Sequence, residues 1–202
     1  MSMLRSYTAA DAFTIGNAAS GTVAIFLCLE SIAALQVGYL WAAVLLLVLA
    51  LVCDVLDGYV ARLARVRQSR LGADLDSLAD VISFGVAPAV LGYTLGLRGG
   101  WDMLVLTYFV VCGVSRLARF NVTAETLADA DTGKVKYFEG TPIPTSIAIV
   151  GVLALALWLG RTHEDMWLGA FRLGPAGFHP LSLLYAASGS AMISATLRIP
   201  KP

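Results

Sequence analysis

Four aspartates are the side chains best placed to do chemistry: Asp54 and Asp57, three residues apart, then Asp76 and Asp80, four apart, all within or beside strongly apolar sequence. Residues three or four apart share a helix face, so each pair points one way from its own helix. The segment joining the pairs is short, which makes the two helices antiparallel neighbours and lets the carboxylates converge. An ionised carboxylate is expensive at membrane depth, and four together repel one another. Something cationic must compensate. A set of carboxylates alone selects hard ions such as magnesium, manganese or calcium and disfavours zinc. His163 and His179 both fall at the other end of the helices and add no nitrogen ligand. Asp74, two residues before Asp76, faces nearly the opposite way and stays outside the group.

Small and basic residues surround the acids. Gly58, Ala61 and Gly72 leave room for a ligand to approach the backbone, or serve close helix packing. Arg116 and Arg119, three apart, form a guanidinium pair suited to a carboxylate or a phosphate; their other role is as snorkelling anchors. Arg65, Arg67 and Arg70 suit anionic lipid headgroups, and Lys134 and Lys136 fall in a polar loop.

The elements that must position these groups are membrane helices. Of 202 residues, 58% are apolar and only 14% charged, and the mean hydropathy is +0.76. At about 20 apolar residues per crossing, six spans use nearly the whole chain as a single domain, 1–202. The apolar runs predict spans near Phe13 to Leu35, Tyr39 to Ala64, Leu71 to Leu97, Met103 to Arg119, Thr141 to Gly160 and Pro180 to Leu197, with a loop from Asn121 to Glu139. The expected fold is an all-α integral membrane protein of six transmembrane helices, with Met1 to Asp11 able to form a short interfacial helix. With both termini on one side, that side carries eleven of the 14 basic residues, so the termini and the aspartates are expected at the cytoplasmic face. The zero formal charge excludes a general nucleic-acid binder. Cys28, Cys53 and Cys112 are isolated, with no CxxC pair, and read as small buried hydrophobes. There is no internal repeat, which disfavours a transporter of duplicated halves.

The run Asp54-x2-Asp57-Gly58-x2-Ala61-Arg62, a spacer of nine, then Gly72-x3-Asp76-x3-Asp80 resembles the signature of the CDP-alcohol phosphotransferases at all eight of its fixed positions. The nine-residue spacer is its less usual length. The stretch Leu75 to Ala89, the run Ser115-Arg116-Leu117-Ala118-Arg119-Phe120-Asn121 and Gly140-Thr141-Pro142-Ile143-Pro144 are similar to the phosphatidylserine synthase branch. The likeness extends from about Asn17 to Thr145.

That resemblance implies a homodimeric membrane enzyme with a divalent metal, Mg or Mn, held by Asp54, Asp57, Asp76 and Asp80. The substrates implied are CDP-diacylglycerol or CDP-archaeol and L-serine, with CMP released and Asp80 as the base that takes the serine proton. It implies that Asp57, Gly58, Ala61, Arg62 and Gly72 line the CDP moiety. Asn17 either joins them or hydrogen-bonds a neighbouring helix. Arg116 and Arg119 are the acceptor-binding candidates. The alternatives are the same chemistry on inositol phosphate, glycerol phosphate or another small alcohol, and, in another class, a divalent-cation transporter.

Overall fold

The computed structural model describes residues 9–63, 70–127, 137–194, 196 and 198–200. Helix α1 (Ala9–Ala34) and helix α2 (Val37–Leu63) form an antiparallel pair, joined by a tight turn in which Leu35 takes a positive φ of 53°. Helix α3 (Arg70–Asp80) passes into a π-helical segment (Val81–Val86) and then helix α4 (Ala87–Leu95). Helix α5 (Gly100–Leu127) runs back beside them, and the shorter α6 (Ile147–Trp158) and α7 (Leu183–Ile193) follow, each entered through a 3₁₀ turn.

Among the described residues, four helices are long and apolar enough to cross a membrane: Asp11–Ala34, Val37–Val60, Leu71–Leu95 and Gly100–Val122. The two remaining apolar stretches, Ile143–Trp158 and Pro180–Ile193, are shorter than the roughly 20 residues a straight crossing takes. Of the six expected spans, four are thus present at full crossing length among the described residues, and the other two correspond to short apolar helices. Prolines cause the shortening at the start of each: Pro142, Pro144 and Pro180 lack the N–H that would carry a helix backwards.

Two further expectations change. The chain is mostly helical but not purely so: β1 (Tyr137–Glu139) pairs antiparallel with β4 (Arg198–Pro200), and β2 (Phe171–Leu173) with β3 (Ala176–Phe178). The second pair turns through Gly174-Pro175, where Gly174 has φ of 63° as a hairpin turn with glycine first requires. Asn121 does not open a loop, because α5 continues to Leu127 through good helix formers such as Ala124, Glu125 and Leu127. The third span is not a uniform α-helix. Pro88 has no N–H to donate to the Phe84 carbonyl, and the Ala87 N–H bonds five residues back to Ile82.

The expected N-terminal interfacial helix falls mainly on residues 1–8, outside the described residues, as do Arg65, Arg67, Lys134 and Lys136. The side chains of Ala61, Arg62 and Arg70 are also outside them.

The core is apolar and tight where helices cross. Phe109 of α5 and Tyr185 of α7 meet edge to face at 5.2 Å, and the Tyr185 hydroxyl donates to the Pro88 carbonyl at 2.6 Å. At the end remote from the aspartates, Asp102 is fully buried. It accepts from the Gly99 N–H at 2.9 Å and the His179 N–H at 2.8 Å, and its other contact is His179 Nδ1 at 2.5 Å. The bond back to Gly99 is the reciprocal half of a capping box, while His179 ties the segment before α7 to the start of α5. Cys28 and Cys112 are buried and Cys53 half-buried, all as free thiols, as expected of small hydrophobes.

Candidate functional site: an acidic array at the ends of α2 and α3

Asp54 projects from α2, and Asp76 and Asp80 from α3. One carboxylate oxygen from each lies within 4.8 Å of the other two. Asp80 is almost enclosed, at 6% exposure, and the other two are half-buried. Among the described residues, no lysine or arginine forms an ion pair with any of the three. Carboxylates gathered this closely in a partly enclosed site repel one another strongly. A hard cation with oxygen ligands is the species that relieves this repulsion.

Asp57 is placed differently from its three companions. It is 5% exposed and accepts a hydrogen bond from the Thr14 hydroxyl of α1, outside the triad of converging carboxylates. Helix geometry explains the split. Asp76 and Asp80, four residues apart, differ by about 40° around the axis, whereas Asp54 and Asp57, three apart, differ by about 60° in the other sense. When Asp54 faces α3, Asp57 turns toward α1. It remains close enough to Asp54 and Asp76 for the charges to repel.

Helix α1 supplies a second connection. Asn17 is fully buried; its Nδ2 donates to Asp80 at 3.2 Å, and its backbone carbonyl accepts from the Ser83 hydroxyl at 2.9 Å. The Asn17 side-chain oxygen has no hydrogen-bond partner among the described residues. That buried amide oxygen is left as an open acceptor on a side chain that touches Asp80. The three converging carboxylates form an all-oxygen donor set, which suits hard cations such as Mg, Mn or Ca rather than zinc. Gly21 makes the approach of α1 feasible: a Cβ there would lie 2.8 Å from the Ser83 Cα. The π-helical segment that carries Ser83 begins directly after Asp80, a placement common at functional sites.

The remaining sequence candidates differ in their surroundings. Gly58 is exposed, and a Cβ there would meet nothing within 4 Å, so close packing is not its role among the described residues. Gly72 is buried in the first turn of α3. Ala61 and Arg62 lie on the last turn of α2. Arg116 is half-buried on α5, stacked over Phe120 at 5.3 Å and near enough to Asp80 for the charges to attract. Arg119 is exposed, so the two arginines share a helix end but not an environment.

Sequence reasoning missed Thr14 and Ser83. Both were within reach of the same spacing rule, Thr14 lying three residues before Asn17 and Ser83 three after Asp80. It also gave Asn121 no role, although Asn121 Oδ1 accepts from Ser77 at 3.1 Å and its Nδ2 donates to Asp74 at 3.3 Å. Asp74 stays out of the triad, as its helix face predicts.

Known proteins are similar to this chain. A family model for CDP-alcohol phosphatidyltransferase matches residues 7–176. The chain is 43% identical, over all of its length and 73% of the relative's, to a CDP-diacylglycerol–serine O-phosphatidyltransferase of Saccharomyces cerevisiae. It is 40% identical to the archaetidylserine synthase of Methanothermobacter thermautotrophicus, over 69% of this chain and 54% of that one. A CDP-diacylglycerol–serine O-phosphatidyltransferase of Mycobacterium leprae is 42% identical over 59% of this chain and 40% of its own. The chain therefore spans only about half the length of the latter two relatives.

Proposed function

Because the chain belongs to the CDP-alcohol phosphatidyltransferase family, we propose that it transfers the phosphatidyl or archaetidyl group of a CDP-linked lipid to the hydroxyl of L-serine, releasing CMP. The observation that carries the chemistry is the triad of carboxylates within 4.8 Å, with Arg116 near Asp80. Serine as acceptor is supported by relatives named for serine or archaetidylserine synthesis, including one similar over the whole chain.

Asp54, Asp76 and Asp80 would hold the divalent metal, Mg or Mn, with Asp57 and the Asn17 oxygen beside them. When bound, that metal neutralises pyrophosphate charge and stabilises departing CMP. Asp80 takes the proton of the serine hydroxyl while that oxygen forms its bond to the lipid-bearing phosphorus and the bond from that phosphorus to the CMP oxygen breaks. Asn17 holds the Asp80 carboxylate in place, and Thr14 does the same for Asp57. Gly58, whose open face admits a ligand, lines the CDP moiety together with Ala61, Arg62 and Gly72. Arg116 and Arg119 receive the serine carboxylate, the anionic group a guanidinium suits.

The same reading takes the two short apolar helices as crossings, giving six spans in a single membrane domain, a homodimer with both termini and the array at the cytoplasmic face. Serine and CMP then exchange with water while the lipid tails enter from the bilayer. A cation transporter is disfavoured by the placement of the acids, which gather at one end of α2 and α3 rather than along a path.

The test is an acceptor panel. Purified protein in mixed micelles receives CDP-diacylglycerol, Mg or Mn, and in turn L-serine, inositol phosphate, glycerol phosphate or no acceptor, with CMP measured. Serine gives the largest release. Release with another alcohol but not with serine would overturn the acceptor assignment.

A further inference from the structure

We infer that Asn121 is a positioning residue that sets the acceptor pocket, by clamping α5 to α3 on both sides of Asp76. The inference rests on the transfer reaction proposed above.

Asn121 is half-buried near the end of α5 and meets two residues of α3. Asp74 lies two residues before Asp76, and Ser77 directly after it. The carboxylate of Asp74 can only accept, so the Asn121 Nδ2 must face it, at 3.3 Å. This fixes the amide orientation and leaves Oδ1 to accept from the Ser77 hydroxyl, at 3.1 Å. Both ends of one rigid amide are thus used, and they grip the same turn that carries a carboxylate of the array.

What the clamp controls follows from where it sits. Asn121 is five residues beyond Arg116, about 7.5 Å along the helix axis. Arg116 belongs to α5, whereas Asp76 and Asp80 belong to α3. The Asn121 amide ties the helix of the acceptor-binding arginine to the helix of the base, on the turn that also carries Asp76. Loosening it changes the distance from Arg116 to Asp80, hence the fit of an acceptor held between them. Asp54 and Asp57 on α2, and Thr14 and Asn17 on α1, are not spanned by this clamp. Binding of the CDP-linked lipid should therefore depend on it less.

The amide orientation allows an exchange test. Asn121→Asp sets a carboxylate against that of Asp74, whereas Asp74→Asn with Asn121→Asp restores a donor facing an acceptor and keeps an acceptor for Ser77. Kinetics of the full chain with CDP-diacylglycerol and serine should show the serine KM about tenfold higher in Asn121→Asp, the KM for the CDP-lipid within twofold of the parent, and the double variant back within threefold. Ser77→Ala, which deletes a single hydroxyl, should raise the serine KM about threefold and serves if Asn121→Asp does not fold. The inference is overturned if the double variant is no better than Asn121→Asp, if the CDP-lipid KM rises in the same proportion as the serine KM, or if Ser77→Ala leaves the serine KM unchanged. If the parent protein transfers to a different alcohol, the functional reading fails by itself, and the same cycle run with that alcohol still decides the clamp.

Discussion

The Asn17 amide nitrogen lies 3.2 Å from a carboxylate oxygen of Asp80, so the first helix reaches across to the last aspartate of the signature. A neutral donor on the proposed base orients it without supplying the positive charge that would hold it as an inert ion pair. Asn17→Leu removes that donor and the unpaired oxygen together. It should lower kcat by roughly 10- to 100-fold, in line with losing a hydrogen bond to a charged group, as read from CMP release.

Asp80→Asn should abolish transfer, because the proton acceptor is lost, and should also weaken metal-dependent CDP-lipid binding, because Asp80 belongs to the converging triad. Asp54→Asn should weaken metal-dependent binding more than Asp57→Asn does, because Asp54 is in the converging triad and Asp57 is turned to Thr14. Titration of metal against bound CDP-lipid, by calorimetry or fluorescence, separates the three variants. Equal loss of binding in all three would remove the division of roles.

Thr14→Val keeps the shape of the side chain and removes the hydroxyl that donates to Asp57. A buried carboxylate that loses a partner costs about 1–3 kcal/mol. The expected result is a KM for CDP-lipid raised roughly 5- to 100-fold with serine KM little changed, in steady-state kinetics varying each substrate.

Two glycines should respond oppositely to alanine. At Gly21 the new methyl would press on the backbone of Ser83, 2.8 Å from its Cα, and force α1 away from the π-helical segment. At Gly58 it meets nothing within 4 Å. Thermal unfolding in detergent should show Gly21→Ala clearly destabilised and Gly58→Ala unchanged. Any loss of activity in Gly58→Ala should then appear as weaker CDP-lipid binding.

At the far end of the bundle, Asp102→Ala leaves the N–H groups of Gly99 and His179 without their acceptor. Stability should fall by about 1–3 kcal/mol, the cost of leaving two part-buried donors without their acceptor. Metal dependence should not move, and thermal unfolding beside a metal titration tests both statements.

Much of the site was legible because helix periodicity is a local property. Aspartates spaced by three and four in apolar sequence fix which faces carry charge, and the short link between the pairs brings Asp54 to Asp76 and Asp80. The azimuth of α2 was not legible. Only packing against α1 decides that Asp54 and not Asp57 meets α3, and Thr14 shows its part only once α1 is in place. The π-helical segment of the third span was not read from the sequence: Pro88 lacks an N–H, but whether that gives a kink or a π-helical segment depends on packing such as that of Ser83 against Gly21. The end of α5 was misplaced at Asn121 because polarity was read as loop, although a helix can leave the apolar layer and continue. Strands of three residues, such as Phe171–Leu173, are too short to leave an alternating pattern.

The most direct measurement follows serine itself. Protein in micelles with CDP-diacylglycerol, Mg or Mn, and radiolabelled L-serine should move label into the lipid phase in one-to-one proportion with CMP released, and Asp80→Asn should stop both. CMP released with no label entering lipid, or transfer undiminished in Asp80→Asn, would contradict the assignment of the aspartate array to serine phosphatidyl transfer.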